Sequence, residues 1–352
     1  MESASASPVR QAILGLPELL RAAYCEALEV APEIVELDTP EHRFLAVEDG
    51  DVNRAAKRLA SYWKARKELF RKRAFLPMVL CEGGALDERE RTLFDSAYFV
   101  PAPDHTSGRP VAVADVLRLD SIYSYPSLMD LRLRCAFYTF SVMTENPVAQ
   151  SEGVIVLFML SKAPDDDSSR LFFRMLLDSF PIHSLESHLI VLPSVTDLGT
   201  FVRGAIDFVV SFVLRPFFQQ IYVHQGQTDV EVLQKLVDHG FDLKGVPEWM
   251  GGAWPIQSFE TWKRIRLESE TQLYSFDRCS PDKKSKIIQE EVVLLQQKVD
   301  RMVSDNASVD ASNLELEHLL SQAEALVFAS SGGQEIPDEF FASFLGNVFD
   351  AT

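Results

Sequence analysis

GVIVLFML, Gly153 to Leu160, sets seven apolar residues in a row behind a single glycine. A run of strand length that is apolar on consecutive positions suits a strand covered on both faces. PVAVADV from Pro110, HLIVLP from His188 and QIYVH from Gln220 have the same length and character. Longer helical patterns lie among them, at Leu128 to Met143, Ser168 to Asp178, Asp197 to Leu214 and Asp229 to Asp238. This β-α-β-α order predicts an α/β domain with a largely parallel sheet.

The flanks read differently. Up to about Phe75 the apolar positions have helical spacing, and Thr39-Pro40 opens a helix holding Phe44 and Leu45. From Arg54 to Arg73 nine cations face one acid, Glu68, so this segment carries +8 and the rest of the chain −26. Beyond Trp254, the residues Ile288, Val292, Leu295, Val299 and Met302 make an a/d stripe over about two heptads. Helical patterns follow around Leu314 to Val327 and Pro337 to Phe349, and the stretch from 302 onward has nine acids and no Lys or Arg.

The 352 residues sum to −18, which argues against a surface that binds nucleic acid or anionic membrane indiscriminately. The hydrophobic content of 47% is that of a globular chain with a substantial core. Glu2 precedes any cation and no long apolar h-region follows, so no secretory signal is read. Val195 to Phe218, the most apolar tract, is broken by Asp197, Arg203, Asp207 and Arg215 and falls short of a membrane span. Four scattered cysteines without a CxxC suggest a reducing, cytoplasmic setting.

Catalytic signatures are absent: there is no GxSxG, HExxH, GxxxxGK[ST] or strand-borne GxGxxG. His183 and His188 read as polar residues at a turn into a strand, and Asp165, Asp166 and Asp167 as the acidic first turn of a helix. The expectation is a binding protein, with no enzyme activity, metal or cofactor.

The segment Thr196 to Arg215, TDLGTFVRGAIDFVVSFVLR, is too apolar for a surface helix. Arg203, Asp207, Ser211 and Arg215 make one narrow polar stripe, and apolar side chains fill the rest. Two readings stay open, a central core helix and a wall for a bound apolar ligand.

FLAVEDGDVNRAAKRLASYWKARKEL resembles the helical N-terminal lobe of the CRAL-TRIO family, through Phe44, Leu45, Asp51, Val52, Ala55, Ala56, Leu59, Trp63, Arg66 and Lys67. SGRPVAVADV is similar to the family's GRPV strand, and HLIVLP to its third strand. FVVSFVLRPFFQQIYVH resembles its gate helix, turn and next strand, and VPEWMGGAW its LPKEYGGTW phrase.

The resemblance implies a helical lobe (8–75), a lipid-binding domain (76–254) with a mixed, mostly parallel sheet flooring a pocket closed by a gate helix, and a helical acidic extension (255–352). It assigns Phe201, Val202, Ala205, Phe208, Val209 and Phe212 to the gate, and Val156, Phe158, Ile190 and Tyr222 to the pocket. The expected function is binding a lipid or other small hydrophobic ligand and moving it between membranes, through transient contact. Arg66, Lys67, Arg71, Lys72 and Arg73 are the membrane-surface candidates, with a solvated face of the lobe as the alternative.

Two departures count against phosphoinositide. Where the family's phosphate-binding RARK stands, this chain has Ala46, Val47, Glu48 and Asp49, and near Thr228, Asp229 and Val230 the family's lysine is missing. The competing reading is a tethering protein that engages a protein partner through its C-terminal helices, with a vestigial pocket.

Overall fold

The structure is a computed structural model and describes residues 7–115, 128–159, 178–194 and 220–273. The expected gate residues Phe201, Val202, Ala205, Phe208, Val209 and Phe212 and the helical patterns beyond 273 lie outside the described residues, as does nearly all of 168–178. The chain divides into two compact units, Met1–Glu270 and Thr271–Thr352.

The first unit begins with α1 (Pro8–Leu14), α2 (Glu18–Val30), α3 (Pro32–Asp38), α4 (Glu41–Val47) and α5 (Val52–Phe70). Proline at the first helical position starts both α1 and α3, where a missing N–H costs nothing. Asp51 caps α5, its carboxylate accepting from the backbone N–H of Asn53 at 2.9 Å and of Arg54 at 3.1 Å. The buried face of α5 runs through Ala55, Ala56, Leu59, Ala60, Tyr62, Trp63, Arg66 and Phe70, and packs on α1 and α2.

Aromatic packing fastens this lobe to the remainder of the first unit. The Tyr62 ring lies 5.1 Å from Phe137, on α7 (Leu128–Met143), and 5.2 Å from Phe180; Phe137 and Phe180 are 4.6 Å apart. Arg58 donates to the Phe180 carbonyl at 2.9 Å. Between lobe and sheet, α6 (Glu88–Asp95) opens with a capping box of Asp87 and Glu90.

The sheet has five strands among the described residues: β1 (Phe99–Ala102), β2 (Val111–Asp115), β3 (Val154–Met159), β4 (Leu185–Val191) and β5 (Gln220–Gln225), ordered β1-β2-β3-β4-β5. β1 pairs antiparallel with β2, and the other pairings are parallel, so the sheet is mixed and mostly parallel, as expected. The four strands expected from sequence are present, and β1 is an addition. The short helix α8 (Val148–Ser151) leads into β3 through Gly153. A side chain there is excluded twice: φ is +89°, and a Cβ would fall 2.2 Å from Ser184 Oγ.

Register assigns each strand residue to a face. On the first face Val111, Val113, Ile155, Leu157, Met159 and Ile190 form one core with Val232 and Leu236 of α9 (Asp229–Asp238) and with Phe241, Val246 and Met250. The second face carries Ala112, Ala114, Val154, Val156, Phe158, Ser187, Leu189, Val191, Ile221 and Val223. α7 packs on β1 and β2.

The last described element, α10 (Ile256–Leu273), belongs largely with the first unit, which ends at Glu270. Phe259 is buried 5.6 Å from Phe94. The Glu270 carboxylate accepts from Leu80 N (2.7 Å), Tyr138 Oη (2.8 Å) and Arg266 Nε (2.6 Å). Residues 256–270 therefore belong with the first unit.

Candidate functional site

The expected pocket residues split between the two faces of the sheet. Val156 and Phe158 lie on the second face with Leu189, Val191, Ile221 and Val223. Ile190 and Tyr222 lie on the first: Ile190 is fully buried against α9 in the core, and the Tyr222 ring sits 4.4 Å from that of His239. Opposite faces of a sheet cannot line one surface, so Ile190 and Tyr222 do not share a face with Val156 and Phe158. The second face is apolar apart from the exposed Gln225 at its end and Ser187, whose buried Oγ has no hydrogen-bond partner. Phe158, Ile221 and Val223 on this face are half-buried.

The first face holds a constellation that sequence reading missed. His188 on β4 is buried, its Nε2 2.7 Å from Glu186 Oε1 and its Nδ1 2.8 Å from Nε2 of the buried His224 on β5. Arg109 Nη1 donates to the other Glu186 oxygen at 2.7 Å. An ionised Glu186 accepts only, so His188 carries its proton on Nε2, and its bare Nδ1 accepts from His224 Nε2–H. His239, following α9, places its ring 5.1 Å from His224, and His105 donates from Nε2 to the His239 carbonyl at 3.0 Å.

The electrostatics follow from this geometry. Burial would raise the Glu186 carboxyl, but hydrogen bonds from His188 and Arg109 overcome it and hold the group at about 2. Burial lowers His224 to about 3, helped by His188, His239 and Lys235. His188 is lowered too, because burial outweighs Glu186. No strand periodicity reveals this cluster; strand alternation gives only that Glu186 and His188 share a face. Among the described residues no group of His, Cys, Asp or Glu is arranged to hold a metal ion.

Residues 108–259 match the family model of the divergent CRAL/TRIO domain. The resemblance to the CRAL-TRIO family holds. The matched region contains β2 to β5, α9 and both faces just described. Among solved structures, the crystal structure of Sfh5 aligns over 63% of this chain and 82% of its own, at 9% identity and a TM-score of 0.34. No curated protein matches the chain.

Against the CRAL-TRIO pattern the two departures have structural roles. Glu48 is buried and grips α5 through Arg58 and Arg54, each at 2.5 Å. Thr228 caps α9 by accepting from Glu231 N at 3.3 Å, and Asp229 accepts from Ser194 N at 3.1 Å. The cations at the first place, Arg54 and Arg58, are already paired with Glu48.

The basic helix also divides. Arg66 is buried, ion-paired to Asp38 at 2.6 Å, bonded to the Leu76 carbonyl at 2.6 Å and stacked 4.7 Å over Trp63. Arg73 turns inward to the Ala85 carbonyl (2.8 Å) and Glu90 (2.9 Å). Neither can meet a membrane without breaking these contacts. Lys67 is half-buried and paired with Glu26, Lys72 is half-buried, and Arg71 is exposed. No described helix is long and apolar enough to cross a membrane.

Proposed function

We propose that this chain binds a lipid or other small hydrophobic molecule on the second face of its sheet and carries it between membranes without catalysis. The observation that carries the reading is the CRAL/TRIO match over residues 108–259, which contains an apolar sheet face built from Val156, Phe158, Leu189, Ile221 and Val223. Each ligand CH₂ removed from water there contributes about 0.8 kcal/mol, enough in sum to hold a long chain or ring system without a charged clamp. Ser187 Oγ supplies one hydrogen bond to a ligand oxygen. With Glu48 and Thr228 in place of phosphate-binding cations, the ligand class is a sterol, a tocopherol- or carotenoid-like molecule, or phosphatidylcholine, ahead of a phosphoinositide. Membrane contact is transient and oriented, through Lys67, Arg71 and Lys72.

Native mass spectrometry with organic extraction tests this directly. A stoichiometric hydrophobic molecule released from the purified chain, or taken up from phosphatidylcholine vesicles containing cholesterol, is the expected result. A chain that carries nothing and takes up nothing would refute the reading.

A further inference from the structure

The bond between His188 and His224 joins β4 to β5 by side chains buried on the first face. The titratable and charged groups around it come from four places: Glu186 on β4, Tyr222 on β5, Lys235 and His239 in and after α9, and Arg109 with His105 before β2. The cluster's single carboxylate, Glu186, is already shared between Arg109 and His188.

This arrangement has a fixed capacity for protons. In the neutral pair one proton lies between His188 Nδ1 and His224 Nε2, 2.8 Å apart. One added proton is accommodated by reversing that bond: the added proton lands on His224 Nδ1, the shared proton passes to His188 Nδ1, and His188 then donates to the bare His224 Nε2. A second added proton sets N–H against N–H across the same gap, beside Lys235 and His239, and no bond survives it.

We propose that the His188–His224 pair is a proton-sensitive latch between β4 and β5, closed at neutral pH and progressively weakened as pH falls. The sign follows from the depressed basicity of both rings. Stability from the closed pair is complete above the unfolded histidine value of about 6.5 and falls as pH drops below it. The latch does not depend on the lipid reading, since it needs no ligand.

Amide hydrogen exchange on the full chain, read at about pH 7.4 and about pH 5.5 and corrected for intrinsic rates, tests it. Peptides covering 220–225 should exchange about tenfold faster at the lower pH in the native chain, and His224→Gln should remove that acceleration. Glutamine keeps an N–H donor for His188 but cannot be charged. Equal corrected rates at both pH values in the native chain, or undiminished acceleration in the variant, would overturn the proposal. Should the variant fail to fold, exchange at the imidazole C2 hydrogens of the unmodified chain decides. The His188 and His224 rings should titrate below their values in the urea-unfolded chain, and coincident titrations would overturn it equally.

Discussion

Arg66 Nη1 lies 2.6 Å from Asp38 Oδ2, and both side chains are removed from solvent. The pair ties α5 to the end of α3, and through Asp38 Oδ2, which accepts from Met78 N at 3.1 Å, to the segment leading out of the lobe. Two charges taken out of water tolerate each other and little else: removing one partner strands the other, while removing both can be nearly neutral.

Arg66→Met should therefore destabilise the chain by about 3–5 kcal/mol, and Asp38→Leu by a similar amount. The double variant should recover most of the loss. Urea unfolding monitored by tryptophan fluorescence measures all three, and additive losses in the double variant would refute the coupling.

The burial of Arg66 was readable from position alone. It follows Leu59 and Trp63 and precedes Phe70 at spacings of seven, three and four, so it sits on the apolar stripe of α5; its charge drew the reading toward the surface. β1 was hidden for a different reason. Pro101 within Phe99–Ala102 argues against a central strand, and the structure puts this strand at the edge, where a missing N–H is tolerated. The four parallel strands were legible because consecutive apolar residues have few alternatives at that length. The histidine cluster was not, since it is assembled from β4, β5, the end of α9 and a loop far apart in sequence. The split of Val156 and Phe158 from Ile190 and Tyr222 needed the register between strands, which one sequence does not print.

That split gives a two-sided test of the ligand face. Phe158→Ala should lower uptake of a fluorescent sterol or phosphatidylcholine several-fold per folded molecule. Ile190→Ala should cost about 2–5 kcal/mol of stability, because it opens a hole in the core against α9, yet leave uptake per folded molecule near normal. Paired urea unfolding and uptake titrations separate the two. Equal loss of uptake in both variants would contradict the assignment of faces.

Membrane approach through the basic helix now rests on fewer residues. Arg71→Glu combined with Lys72→Glu should weaken co-sedimentation with vesicles containing about 30% phosphatidylserine by several-fold in low salt, since each cation near such a surface contributes about 1 kcal/mol. Arg73→Ala should instead lower the melting temperature, because it strips Glu90 of a partner. Unchanged vesicle binding in the double variant would return this helix to the role of a solvated face.

Glu186 sets a second pH dependence, at lower pH than the histidines. Its carboxyl is held at about 2 by His188 and Arg109, against burial, so the folded chain keeps it ionised where an unfolded chain would protonate it. The stability it contributes is fully present above about 4.5, the ordinary carboxyl value, and is lost as pH falls through about 2. Glu186→Gln should cost about 2–3 kcal/mol near neutrality, the scale of hydrogen bonds to charged groups, because Arg109 and His188 lose the carboxylate. Urea midpoints of native and variant chains at pH 7, 5, 4 and 3 should therefore converge as acid is added. Because Glu186 also raises His188, the gap should not shrink between 7 and 5, and it should narrow below about 4.5. A gap that is independent of pH across the series would mean that the carboxylate's charge does not stabilise this corner of the sheet.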